Sequence, residues 1–132
     1  MIPKFRAWLK NDKEMIDVDE IHFDNGRLDF IGDAITFMRK ANEIELMQST
    51  GLRDEFEKEL FEGDVILWTY WDEFEDSGRA KITFDEGMFK LLDIQTGKDV
   101  WDNLFNCLEN CDVYLQGNIY ENKNLLEASN DQ

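Results

Sequence analysis

The run Asp64-Val65-Ile66-Leu67-Trp68-Thr69-Tyr70-Trp71 decides how the rest of the chain is read. β-Branched and aromatic side chains at adjacent positions suit a strand covered on both faces, which places it at the centre of a sheet. After it, Asp72-Glu73-Phe74-Glu75-Asp76-Ser77-Gly78 reads as a long acidic loop. Ala80, Ile82 and Phe84 then alternate with Arg79, Lys81 and Thr83, the pattern of a half-buried antiparallel strand. Asp85-Glu86-Gly87 turns the chain, Met88 to Ile94 forms a further strand, and three strands in succession predict a meander.

Further along, Val100, Trp101, Leu104, Phe105 and Leu108 fall on one helical face, with Asp99 placed to cap the start. The spacing predicts one amphipathic helix over residues 99–109, lying on the sheet. Val113-Tyr114-Leu115 and Ile119-Tyr120 supply a last strand interrupted by Gly117. Before the central run, the chain reads as hairpins. Phe5 to Leu9 and Met15 to Val18 flank the turn Lys10-Asn11-Asp12-Lys13, and Ile21-His22-Phe23 and Leu28-Asp29-Phe30 flank Asn25-Gly26, a strong hairpin signal. Ile35 to Met38 and Ile44 to Met47 are expected as two more strands, with a short helix within Ala34 to Met47 as the alternative. Ser49 to Gly63 loses periodicity and reads as a turn-rich connector.

These readings predict a mainly β (β-rich α+β) protein. Antiparallel hairpins lead into a small SH3-like or partly open β-barrel with the one helix. Residues 1–126 form a single domain, divisible into a hairpin lobe over 1–50 and a barrel-like lobe over 60–126, and residues 127–132 are expected to fray. The 132-residue length and 42% apolar content fit one domain of ordinary size. Ten Phe, four Trp and three Tyr fill its core.

Thirty Asp and Glu against fourteen Lys and Arg give a formal charge of −16. Such a field repels nucleic acid and anionic lipid and attracts basic partners. The plainer alternative is that the charge only keeps an aromatic-rich fold in solution. The start, Met1 to Arg6, lacks the apolar core of a signal peptide, and no later stretch is long enough to cross a bilayer, so a cytoplasmic location is expected. Cys107 and Cys111 are the whole cysteine content and are expected as free thiols.

Three ordered stretches resemble the YopX family of phage and prophage proteins. They are Lys4-Phe5-Arg6-Ala7-Trp8; Leu46 to Asp54, followed by Phe61-Glu62-Gly63-Asp64-Val65; and Gly117-Asn118-Ile119-Tyr120-Glu121-Asn122 with Leu125-Leu126. The resemblance spans nearly the whole chain. It departs between Asp54 and Phe61, where Glu55-Phe56-Glu57-Lys58-Glu59-Leu60 replaces a Lys-Asn-Gly type of turn. What the resemblance implies is a single YopX-like domain with a mainly β fold, encoded by a phage or prophage and present in a bacterial cytoplasm. It implies no reaction and no catalytic residues. Asp54, Glu62-Gly63-Asp64 and Thr50-Gly51 read physically as fold signatures: carboxylates where backbone N–H groups need acceptors, and a tight bend before Leu52 packs.

Little in the sequence points to chemistry. His22 is the one histidine and its alternation with Ile21 and Phe23 aims it at solvent; a catalytic role would need an orienting partner and a cleft. Cys107 and Cys111, four apart on a helix, make half of a metal site with no second half, which favours packing. No loop has EF-hand spacing, so neither metal nor cofactor is expected. The feature that invites a function is Trp68 to Trp71 running into the acidic loop. The candidate partner-binding residues are Trp71, Asp72, Glu73, Phe74, Glu75 and Asp76, with aromatics for contact area and acids to steer Lys and Arg.

The expected role is therefore a non-enzymatic binding module for a basic host or phage protein, with no direct nucleic-acid or membrane binding. One alternative is a mimic of DNA, using carboxylates within Asp17 to Asp24, Glu55 to Asp64 and Asp72 to Asp76. Another is a structural homo-oligomer paired through edge strands.

Overall fold

The computed structural model describes residues 4–32, 35–70 and 77–126. In chain order the strands are β1 (Phe5–Leu9), β2 (Glu14–Val18), β3 (Ile21–Asp24), β4 (Arg27–Gly32), β5 (Met38–Lys40), β6 (Ile44–Arg53), β7 (Glu59–Phe61), β8 (Asp64–Tyr70), β9 (Ser77–Asp85), β10 (Met88–Asp93) and β11 (Cys111–Asn118). One α-helix, α1 (Leu104–Asn110), and two 3₁₀ turns, Ala41–Glu43 and Lys123–Leu126, complete the described elements. The fold is mainly β, its sheets antiparallel, with a curled half-barrel sheet. The chain divides into two compact units, with the boundary between Ser49 and Thr50, inside β6.

In the first unit, β1 lies between β2 and the first half of β6, with Ala7 opposite both Ile16 and Leu46. The sheet β3-β4-β5 is built from the expected hairpin. Asn25 and Gly26 both take positive φ, 53° and 78°, the turn geometry that matches the twist of paired strands. Alternation puts Ala7, Leu9, Ile31 and Ile44 into a buried cluster, against which Ile16, Val18, Ile21, Leu28, Phe37 and Leu46 pack.

The second unit holds the meander. Its sheet runs β10-β9-β8-β11, so β8 is central, as the aromatic and β-branched run requires. Val65 and Ile66, on opposite faces of β8, are both fully buried. Ile66, Ala80, Ile82, Leu91 and Val113 join Leu60 from β7 and Leu104 and Cys107 from α1 in one core. A bulge between Leu115 and Gly117 shifts the β11 register against β8.

Several local expectations change. The helix begins at Leu104, where Asn103 Oδ1 accepts from the Asn106 N–H at 2.8 Å. Asp99 does not cap it. Asp99 bridges to Leu92, the Val100 N–H donates to the Leu91 carbonyl, and Trp101 has φ of +62°, so residues 99–101 line the edge of β10 instead of starting a helix. Phe105 consequently faces out, while Leu104 and Cys107 face the core. The expected strand Ile35 to Met38 is displaced to Met38–Lys40, sharing only Met38 with it, and the expected strand at Ile44 lengthens to Arg53, so the supposed connector from Ser49 contains the end of β6 and all of β7. Between Ile44 and Met47 there is strand, and the nearest helical piece is the 3₁₀ turn at Ala41–Glu43. The frayed tail expected over Glu127 to Gln132, the loop residues Trp71 to Asp76 and Ala34 lie outside the described residues.

Gly32, paired with Met38, marks where the chain turns between β4 and β5. Its φ is +97°, and a Cβ there would sit 2.2 Å from the Phe37 carbonyl oxygen. The chain therefore doubles back tightly before β5 can pair. Gly32→Ala should destabilise the protein by about 1–3 kcal/mol, the cost of a strained left-handed residue, with the close contact adding to it. Chemical denaturation measures this, and an unchanged midpoint would contradict the close approach.

Candidate interaction surfaces

Buried polar groups come first, because they fix which side chains remain at the surface. Asp54, four per cent exposed, follows β6 directly. Its Oδ1 accepts from the Phe56 and Lys58 N–H groups, both at 2.9 Å, and its Oδ2 from the Leu115 N–H at 2.9 Å. The Asp54 N–H donates to the Lys58 carbonyl, and the Glu55 N–H to the Val113 carbonyl. One carboxylate thus closes the β6–β7 turn and ties it to β11, an edge strand of its sheet, where an open ladder would otherwise invite pairing. Burial pushes the Asp54 pKa up, but the three backbone N–H groups and the Lys58 charge outweigh it and hold the group below its ordinary value.

The other resembling stretches play similar parts. Asp64 Oδ2 accepts from the Phe61 N–H at 2.7 Å. The Thr50 hydroxyl donates to the Leu60 carbonyl at 2.8 Å and accepts from the Leu52 N–H at 3.0 Å. Asn118 Oδ1 accepts from the Tyr120 and Glu121 N–H groups, and Asn122 Oδ1 accepts from the Asn118 N–H. These are scaffold contacts, in keeping with their reading as fold signatures.

The residues weighed for catalysis are not arranged for it. His22 lies opposite Phe30 across β3 and β4 and stacks on that ring, 4.2 Å between centroids. Its Nε2 meets the Gly32 carbonyl at 3.0 Å and Glu20 at 3.4 Å. It is half-buried and tethered rather than aimed at solvent. Cys107 and Cys111 are free and buried, with Cys111 capping the helix rather than continuing it. Burial, then the neighbouring Cys111, pushes the Cys107 thiol far up, and burial raises Cys111 as well. No group of metal-ligating side chains forms among the described residues.

Among the described residues, no helix is long and apolar enough to cross a membrane. The tentative partner-binding residues Trp71, Asp72, Glu73, Phe74, Glu75 and Asp76 lie outside the described set. The strand leading to them is described. Trp68 meets Trp101 edge-on at 5.3 Å, Tyr70 stacks on Trp101 at 5.9 Å, and all three pack against the core. Trp68 and Tyr70 are therefore largely structural. The buried indole N–H groups of Trp68 and Trp101 find no acceptor among the described residues.

Two surfaces combine apolar area with acids. In the first unit, a cleft of ≈ 350 Å³ is lined by Ile16, Val18, Gly32 and Phe37 together with Asp17, Asp19 and Glu20. Glu20 faces His22, whereas Asp17 and Asp19 have no ion pair among the described residues. Arg39 shows how this neighbourhood receives a cation: its guanidinium lies 4.7 Å over the Phe37 ring and pairs with Asp12 at 3.0 Å. In the second unit, Phe56 stands exposed beside Tyr114, 5.6 Å between ring centroids. Sequence reasoning singled out the acids of both regions but neither ring, since nothing in the local pattern separates an exposed aromatic from a core one. The charge itself is unevenly divided. Residues 1–49 hold ten acids against seven bases, and residues 50–132 hold twenty against seven.

A two-unit, mainly β protein with a buried polar scaffold and acid-flanked apolar surfaces is the class that this geometry defines. The YopX protein family matches residues 4–127, and the chain belongs to that family. Among solved structures it is similar to protein EF1440 from Enterococcus faecalis, with 27% identity, a TM-score of 0.68 and coverage of 96% of this chain and 99% of that one. It is also similar in fold to protein yopX from Bacillus subtilis, with 18% identity, a TM-score of 0.64 and coverage of 96% and 97%. No curated protein matches. These likenesses carry no activity, ligand or partner to this chain.

Two outcomes test the chemistry. Asp54 contributes stability at pH values above the ordinary carboxylate pKa, and that contribution fades as pH falls through its depressed folded value. Asp54→Asn, which sets an NH₂ against an inward-pointing N–H, should cost about 1–3 kcal/mol at neutral pH and flatten the acid limb of the stability profile. Separately, a thiol reagent should label neither cysteine in the native state and both after unfolding. Rapid native labelling would contradict the burial of the pair.

Proposed function

We propose that the chain is a phage- or prophage-encoded accessory protein that works by binding a basic protein, not by catalysis. The observation that carries this reading is the cleft of Ile16, Val18 and Phe37 rimmed by Asp17, Asp19 and Glu20. Its apolar floor suits the aliphatic stem of a lysine or arginine, and its rim suits the charged head. The native Arg39–Phe37–Asp12 arrangement beside it is the same chemistry made within the chain. The formal charge of −16 adds long-range attraction for such a partner and repulsion for phosphate backbones. Phage origin and a bacterial cytoplasmic setting belong to this proposal, as does a contribution from Trp71 to Asp76.

The test is affinity capture from bacterial lysate at low and high salt, on the wild type and on an Asp17→Asn, Asp19→Asn, Glu20→Gln variant. The reading expects cationic proteins held by the wild type at low salt, released at high salt, and captured poorly by the variant. An identical capture profile for both proteins would set the cleft aside.

A further inference from the structure

A second surface, in the other unit, is built with more rigidity than an ordinary turn requires. Phe56 is 71% exposed, yet its backbone is fixed. Its N–H is held by Asp54 Oδ1, the Glu57 N–H donates to the Asp54 carbonyl, and Arg53 donates to the Glu57 carbonyl at 2.9 Å. Glu57 adopts φ of +65°, the left-handed conformation that sets the turn. Tyr114 lies alongside, with the two rings tilted by 49°. Glu55 and Glu57 are the sequence neighbours of Phe56, and Asp112 shares the face of β11 with Tyr114, two residues away, while the cations of the same turn, Arg53 and Lys58, are engaged by the Glu57 carbonyl and by Asp54. Neither Glu55 nor Glu57 is ion-paired among the described residues.

We propose that the Phe56–Tyr114 pair is a docking surface for an arginine-bearing segment of a partner protein. This rests on the reading that the partner is basic and places a contact for it outside the cleft. Charge selects the occupant. A second copy of a chain with formal charge −16 would bring carboxylates against Glu55, Glu57 and Asp112, and a phosphate backbone would do the same. A guanidinium satisfies both features, because its plane stacks on aromatic rings while its N–H groups reach the flanking acids. Holding the turn beforehand lowers the ordering cost of binding.

The probe is a short Gly/Ser peptide carrying arginines, its lysine counterpart and its glutamate counterpart, titrated into the isotope-labelled full chain and followed by NMR. The arginine peptide should shift the ring signals of Phe56 and Tyr114 and the amides of Glu55 to Glu57, bind more tightly than the lysine peptide, and outcompete the inert glutamate peptide. Phe56→Ala and Phe56→Leu, both at an exposed position, should each weaken it about threefold or more, the scale of an exposed cation–π contact. Tyr114→Phe should leave affinity within twofold, since the ring stays. An unchanged Leu115 amide shift shows that the Asp54 contacts survive each substitution. Equal affinity for the arginine and lysine peptides, shifts spread over carboxylates without the rings, or unaltered binding by the Phe56 variants would overturn the proposal. The Asp17→Asn, Asp19→Asn variant separates the two surfaces. Ring shifts that persist in it support this site even if the cleft reading fails, and binding lost only in that variant defeats this site and keeps the cleft.

Discussion

The second unit depends on one carboxylate that almost never meets water. Asp54 gathers three backbone N–H groups that no strand ladder could satisfy, two from its own turn and one from β11, 61 residues further along the chain. A charged acceptor makes each of these bonds stronger than a neutral one, and the alternative is three donors left unpaired in a largely dry site. Around it, Thr50, Asp64 and Asn118 likewise accept from backbone N–H groups, those of Leu52, Phe61 and Glu121. The hydrophobic core then has a fixed frame: β8 in the middle, α1 over one side, and Leu60 brought in by the turn that Asp54 closes.

This division of labour accounts for the way acids are used. Buried carboxylates at positions 54 and 64 serve the backbone, while the other described Asp and Glu residues are half-buried or exposed. Surface carboxylates contribute little to stability and much to the choice of partner, through long-range attraction and the rejection of like charge. Acids border apolar ground in the cleft that Phe37 lines, and Phe56 stands exposed beside Tyr114.

Much of the fold was legible because period and composition agreed over whole segments. The run from Asp64 to Tyr70 could only be a central strand, Asn25-Gly26 could hardly be anything but a hairpin turn, and the alternation from Ala80 to Ile82 set the meander. What escaped were positions governed by contacts distant in sequence. Thr50-Gly51 read as a tight bend in a turn-rich connector but sits within β6, where the Thr50 hydroxyl bonds the Leu60 carbonyl of β7. Trp101 looked helical, but its backbone is turned left-handed to bring the indole against Trp68 and Tyr70. The site fared similarly: the acids were visible as composition, whereas Phe56 and Tyr114 meet across a long sequence separation that no local pattern reports.

Native-state hydrogen exchange tests the central claim most directly, amide by amide. If the Asp54 carboxylate is the clasp of the second unit, the Phe56, Lys58 and Leu115 amides open with the same free energy as the Ile66 and Val113 amides of the core, despite the exposure of the turn. Exchange of Phe56 and Lys58 at the rate of an unprotected loop, with Leu115 alone protected, would show the turn to be a passenger and the account to be wrong.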